Sequence, residues 1–347
     1  MSQETSPIAT PALCQPDRIV TYSPAYTIVP TYECFNRCSY CNFRADPGAP
    51  MLELDAAAAL LDELDDRAHY PQRPIEILIL SGEVHPDSPR RTAWFQRIYD
   101  LCALAIDRGF LPHTNAGPLQ RSEMAALKQV NVSMGLMLEQ LTPHLLDTVH
   151  RRSPSKLPAT RLAQLELAGE LQIPFTTGLL LGIGETHTDR LDTLDAIARL
   201  HDRWQHIQEV ILQPHSPGHR QDDPGLAFDL DQLPDLVAIA RQRLPDTITI
   251  QIPPNLIRGS QPRPDILLAC LDAGARDLGG LSPRDEVNPD YDHPTPADLD
   301  TLIRPHHWQL RPRLPVYPHY RPCLNSHPDL PMNSAIANTI ASHRTVH

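Results

Sequence analysis

Short apolar runs recur along the whole chain. They are "AYTIVP", "IEILIL", "GFLPHTN", "VNVSMGLML", "IPFTTGLLLGI", "QEVILQ", "TITIQI" and, more weakly, "ARDLGGL". Most are near-continuous in apolar character, the pattern of strands buried on both faces of a parallel sheet. The intervening stretches carry helical spacing. "LDAAAALLDELDDRA" puts Leu60, Leu61 and Leu64 on one face and acids on the other, and "AWFQRIYDLCALAIDRG" ends at Gly109, a natural helix stop. "DTLDAIARLHDRW" and "DQLPDLVAIARQRL" follow the same rule. Strand–helix alternation repeated about eight times predicts an α/β fold, a (β/α) barrel of the TIM type, complete or partial. The expected boundaries are an N-terminal extension over 1–20, the barrel over 21–304, and an extended C-terminal segment over 305–347. That last segment, with "RPHHWQLRPRLPVYPHYRPC", reads as a wrap over the barrel.

Barrels of this kind carry their chemistry where the strands end. The residues expected there are unusual: a cysteine cluster after the first strand, "SGE" after the second, "HTNAG" after the third, Glu139 after the fourth, and "GIGE" after the fifth. "QPHS", "PPN" and "GGLSP" follow the last three. One active-site mouth is the simplest arrangement.

Composition narrows the classes. A chain of 347 residues with 41% hydrophobic and 21% charged residues has the material for a sizeable core. Prolines number 37, about twice ordinary usage, and read as loop stiffeners. The formal charge of −12, with scattered basic residues, disfavours a nucleic-acid partner. No segment has the apolar length to span a bilayer, and "MSQETSPIATPALCQPDRIV" does not read as a secretion signal, so a cytoplasmic location is expected.

Seven cysteines are present, and three of them, Cys34, Cys38 and Cys41, fall in "CFNRCSYCNF" with spacing C-x3-C-x2-C. The other four are scattered, with Cys102 and Cys270 placed as small buried hydrophobes. Structural zinc is normally closed by four ligands, often as two separated C-x2-C pairs, and no second pair exists here. A 4Fe–4S cluster normally takes four thiolates. Held by three, it keeps one iron open to a small molecule. That reading is favoured over zinc.

The three-cysteine motif, with the aromatic Tyr40 before its last cysteine and placed after the first barrel strand, resembles the radical S-adenosylmethionine (SAM) superfamily. The resemblance implies a 4Fe–4S cluster on Cys34, Cys38 and Cys41 whose open iron chelates SAM. It also implies that Tyr40 lies on the adenine side. Ser81, Gly82 and Glu83 of "LSGE" match a glycine-glycine-glutamate element that meets the SAM amino group, with Ser81 replacing the first glycine. "GLLLGIGE" matches a pattern whose glycines, Gly182 and Gly184, let adenine approach the backbone. Glu139 is expected at the ribose, and Arg161 at the SAM carboxylate.

"ILSGEVHPDSP", "HTNAGPL", "VSMGLMLE", "HRRSPSKLPATRL", "IPFTTGLLLGIGET", "QEVILQPHSPG", "IQIPPNL" and "DLGGLSPRDEVNPD" together resemble the deazaflavin synthase family, in its CofG-type form. The implied reaction is an ammonia lyase step. It converts 5-amino-5-(4-hydroxybenzyl)-6-(D-ribitylimino)uracil, supplied by a CofH-type partner, to 7,8-didemethyl-8-hydroxy-5-deazariboflavin, and needs a donor such as ferredoxin or flavodoxin. Asn115, Thr176, Thr177 and Gln213 are candidate substrate contacts; His113 and His215 are candidate acid/base groups. Another radical SAM barrel enzyme, of the biotin synthase, tyrosine lyase or menaquinone-pathway type, is the alternative, and a metal-stabilised scaffold is a third reading.

Overall fold

Eight parallel strands pair in chain order and the last returns to the first. The computed structural model describes residues 18–343, apart from 67, 69, 71, 223, 224, 226, 259, 260 and 326–331. The barrel strands are β1 (Ile19–Ile28), β2 (Glu76–Leu80), β3 (Leu111–Asn115), β4 (Ser133–Gly135), β5 (Phe175–Leu181), β6 (Ile207–Pro214), β7 (Thr249–Gln251) and β8 (Asp277–Leu281). The barrel is complete because β1 serves two neighbours. Ala25–Ile28 pairs with Glu76–Ile79, while the earlier part, Thr21–Pro24, pairs with Asp277–Leu281. Such a stagger is what tilted strands need to close.

The connecting helices are α1 (Leu54–Glu63), α2 (Arg91–Asp107), α3 (Arg121–Lys128), α4 (Pro158–Glu170), α5 (His187–Trp204), α6 (Leu233–Arg243), α7 (Pro264–Ala273) and α8 (Pro296–Ile303). Their ends are written locally. Thr186 with Asp189 and Thr295 with Asp298 form reciprocal caps at α5 and α8. Several prolines expected in loops instead open helices: Pro158, Pro264 and Pro296 stand in first turns, where a missing N–H costs nothing. Gly109 takes the left-handed conformation that stops α2. Leu61 and Leu64 are buried as the α1 pattern required, with Leu60 half-buried. Cys102 and Cys270 are fully buried, and Cys14 lies outside the described residues.

The C-terminal segment does more than wrap. Strand β9 (Gln309–Pro312) adds to the first half of β1 in parallel register. The chain then turns under the amino-terminal end of the barrel. Ser133 Oγ and Gln208 Nε2 donate to the Pro315 carbonyl at 2.7 and 3.1 Å, and the Tyr320 hydroxyl donates to that of Ile207 at 2.7 Å. These partners begin β4 and β6, so residues 313–320 form the barrel floor. A last helix, α9 (Ser334–Ser342), packs on α2 and β3. Among the described residues no helix is long and apolar enough to cross a membrane.

Candidate active site at the carboxyl mouth

The loop after β1 carries the three cysteines and is held from three sides. The Arg37 and Ser39 amides donate to the carbonyls of Arg152 and Val149, at 2.9 and 3.1 Å, and the Phe35 amide to that of Glu83 at 3.0 Å. Gly82 is obligatory: a Cβ there would lie 2.0 Å from the Glu33 carbonyl oxygen. Cys34, Cys38 and Cys41 all line one cavity of about 320 Å³. Burial pushes the Cys34 thiol up to about 11 and raises Cys38 as well, with Lys156 opposing the latter. Thiols in such a place want a cation to balance their ionised form. Among the described residues no three His, Cys, Asp or Glu side chains converge tightly enough for a single ion. Thiolates that each bind a different iron of a cluster need no such convergence, so the donor set fits a cluster.

Beside the thiols lies a buried quartet of charges. Arg161, from the first turn of α4, donates to Glu83 at 2.7 Å, and Lys156 pairs with Glu139. Asn36 donates to the same Glu83 carboxylate at 2.9 Å, and Ser155 also donates to it. Burial works to raise Glu83 and Glu139, but Arg161 and Lys156 outweigh it and hold both below the ordinary carboxylate value. Gly117, with φ +80°, makes room for Glu83, since a Cβ there would sit 2.4 Å from its Cγ. Glu139 does not end β4. It lies four residues beyond Gly135, bridges to Leu179, and takes a left-handed φ of 67°.

Tyr40 packs against a small apolar cluster of Leu145, Leu180 and Ile183. Its hydroxyl lies 2.9 Å from His150 Nε2. Burial lowers His150 to about 4 and raises Tyr40, so a neutral phenol donates to a neutral imidazole. Ser81 accepts from Trp94 Nε1 at 2.9 Å and lines the cavity. Gly182 and Gly184 both have positive φ. The close approach at Gly182 is made by Phe228, 3.0 Å from where a Cβ would be. Glu185 shapes this turn by accepting from the Gly182 and Ile183 amides, at 2.7 and 2.9 Å, and from Arg190.

A second compartment of about 180 Å³ lies deeper in the barrel and shares Asn115 and Gln213 with the first. His113 and Thr176 line it; His215 lines the cysteine compartment. Thr177 lines neither. Side chains alternate along β5, and Thr177 faces outward to accept from the Leu138 amide at 3.2 Å, so its expected substrate contact is withdrawn. His113 also departs from its expected role. Burial, with Arg313 nearby, pushes it down to about 3, so it stays neutral and is a poor proton acceptor near neutrality. Three functional residues carry no motif in the sequence. Asn36 and Lys156 sit beside the motif cysteines and had no spacing of their own, although "SPSKL" contains Lys156. Arg313 emerges from the tail to bind Asp277 at 2.6 and 2.8 Å and Glu209 at 2.8 Å.

A three-cysteine loop over a charge-balanced cavity, at the mouth of a parallel barrel, defines the radical SAM class. The sequence profile of the radical SAM superfamily matches residues 28–197. Among solved structures, the FeFe-hydrogenase maturase HydG from Carboxydothermus hydrogenoformans superposes with a TM-score of 0.69 at 17% identity, covering 94% of this chain and 79% of that one. Methylornithine synthase (PylB) does so with a TM-score of 0.60 at 15% identity, over 83% and 81%. These two share the fold. Much nearer in sequence are the 7,8-didemethyl-8-hydroxy-5-deazariboflavin synthases of Trichormus variabilis, 64% identical over 87% of this chain and 86% of that protein, and of Thermosynechococcus vestitus, 64% identical over 88% and 94%. The chain belongs to the 7,8-didemethyl-8-hydroxy-5-deazariboflavin synthase family.

Proposed function

We propose that this chain is a radical SAM lyase that closes the deazaflavin ring system from a hydroxybenzyl–ribityluracil adduct, with release of ammonia. The observation that carries the reading is the joining of three free thiols and the Glu83–Arg161 and Glu139–Lys156 pairs in one cavity. Cys34, Cys38 and Cys41 would hold the cluster. When bound, such a cluster with SAM supplies one-electron cleavage of a sulfonium and a radical that abstracts hydrogen.

The chain's own residues do the rest. The quartet is neutral in sum and its members are paired, so it can exchange partners with a zwitterion at little electrostatic cost. Glu83 would release Arg161 to take the SAM ammonium, leaving the guanidinium to bind the carboxylate bidentately. Glu139 would accept from the ribose hydroxyls. Tyr40, Leu180 and Ile183 give an apolar wall for adenine, beside the Gly182–Gly184 turn. His215 lines the cysteine compartment and would take a proton from substrate. A CofH-type partner would supply the adduct and a ferredoxin or flavodoxin the electron, in the cytoplasm.

The test is anaerobic. The reconstituted, reduced protein receives SAM and the adduct, and 5′-deoxyadenosine and deazaflavin fluorescence are followed. Both products are expected. Formation of 5′-deoxyadenosine at a rate indifferent to the adduct would remove this substrate.

A further inference from the structure

The deep compartment has a chemistry of its own. Its floor is the C-terminal segment, and its buried cation, Arg313, is already engaged by Asp277 and Glu209, while its exposed cation, Arg284, lies 3.7 Å from Glu286. Glu76, fully enclosed, also lines it. Four carboxyl groups, Glu76, Glu209, Asp285 and Glu286, thus line it with two guanidinium groups, each of which already has a carboxyl partner. An anion placed here would meet carboxyl groups that outnumber the cations, and no guanidinium without a carboxyl partner.

What the compartment offers is neutral hydrogen bonding. Asn115, Gln213 and Gln251 bring amides that donate and accept, and Thr176 brings a hydroxyl. His113 is fixed more tightly than these. Ser133 spends its only hydroxyl proton on the Pro315 carbonyl at 2.7 Å. Its oxygen lies 2.7 Å from His113 Nδ1, so that nitrogen must be the donor and Nε2 the bare acceptor. Gly135 leaves the Nε2 edge uncovered: a Cβ there would lie 2.9 Å away. The floor segment therefore sets, through Ser133, an acceptor at the lumen wall.

We propose that the deep compartment is the subsite for the ribityl chain of the substrate, and that Pro315 and Ser133 position His113 there as a hydrogen-bond acceptor. The inference rests on the deazaflavin synthase reading and extends it. In that reaction the uracil and phenol rings change while the polyol does not, so the rings occupy the cysteine compartment and the unreacting chain goes deep. Hydroxyls that each donate and accept suit amides and an imidazole acceptor. A phosphate on the chain does not suit a lining rich in carboxyl groups whose guanidinium groups are already paired.

The test uses the reconstituted holoenzyme and three probes, followed by fluorescence anisotropy: the deazaflavin product, its ribityl 5′-phosphate, and an analogue with N-methyl in place of the chain. The product should bind at least about tenfold more tightly than either of the others. Ser133→Ala should lower the preference for product over the N-methyl analogue several-fold and leave N-methyl binding unchanged, which a loss of general stability would not do. Equal binding of phosphate and free chain overturns the proposal, as does equal or undetectable binding of all three by an enzyme that still forms deazaflavin. Failure to form deazaflavin from the adduct would instead sink the reading of function beneath it.

Discussion

Arg161 is 2% exposed, and its removal would strand Glu83 as a buried charge. Arg161→Ala should cost about 3–5 kcal/mol in denaturant unfolding and weaken SAM binding in the same variant. Unchanged stability would mean the carboxylate finds water or Lys156. Glu209 makes a pH prediction. Burial, against the pull of Arg313, raises its carboxyl from 4.5 to about 8. Between those values the folded protein keeps a proton that the unfolded chain has lost. Stability therefore declines as pH rises through that window, by at most about 1.4 kcal/mol per pH unit. Glu209→Gln should flatten the decline, seen as a smaller difference in Tm between pH 5 and pH 8 than in the native protein. At this scale the sequence was readable where residues cluster locally. Cys34, Cys38, Cys41, Tyr40, Ser81, Glu83, Glu139 and Arg161 do meet in one cavity. Arg313 was not readable, because a charge buried among partners 36 and 104 residues away leaves no local trace.

Elements were legible in proportion to their burial. All eight barrel strands fall within or beside the apolar runs that announced them. Strand β9 went unseen because its side chains are exposed or half-buried and it ends in Pro312, so neither alternation nor apolar content marks it. Thr177 was misread for a different reason: a polar residue inside a continuous apolar run does not say which way it faces until the strand's phase is known. That phase is testable. Thr177→Val should leave the Leu138 amide without its acceptor and cost about 1–3 kcal/mol, with substrate KM unchanged. Thr176→Val, facing the lumen, should raise KM instead. Gly82→Ala would drive a methyl into the Glu33 carbonyl and displace the cysteine loop. Its expected readout is a fall in iron per chain after reconstitution, larger than any fall in Tm.

The molecule as a whole separates its scaffold from its chemistry. The apolar core runs through both sheet and helices and does not depend on the cysteine loop. Cys38→Ala should thus give a colourless protein with the native circular dichroism spectrum, and a loss of helical signal would contradict that independence. The floor built by residues 313–320 bears on how the molecule is made. A ribosome that has released residues through β8 has delivered the cysteine loop, the Glu83–Arg161 and Glu139–Lys156 pairs and every barrel strand. Asp277 and Glu209 then still await the Arg313 guanidinium that pairs with them. The lining of the mouth ends with Asn288, and only after it does the chain supply the floor of residues 313–320. The upper opening can therefore take shape while the lower one is still without its stopper.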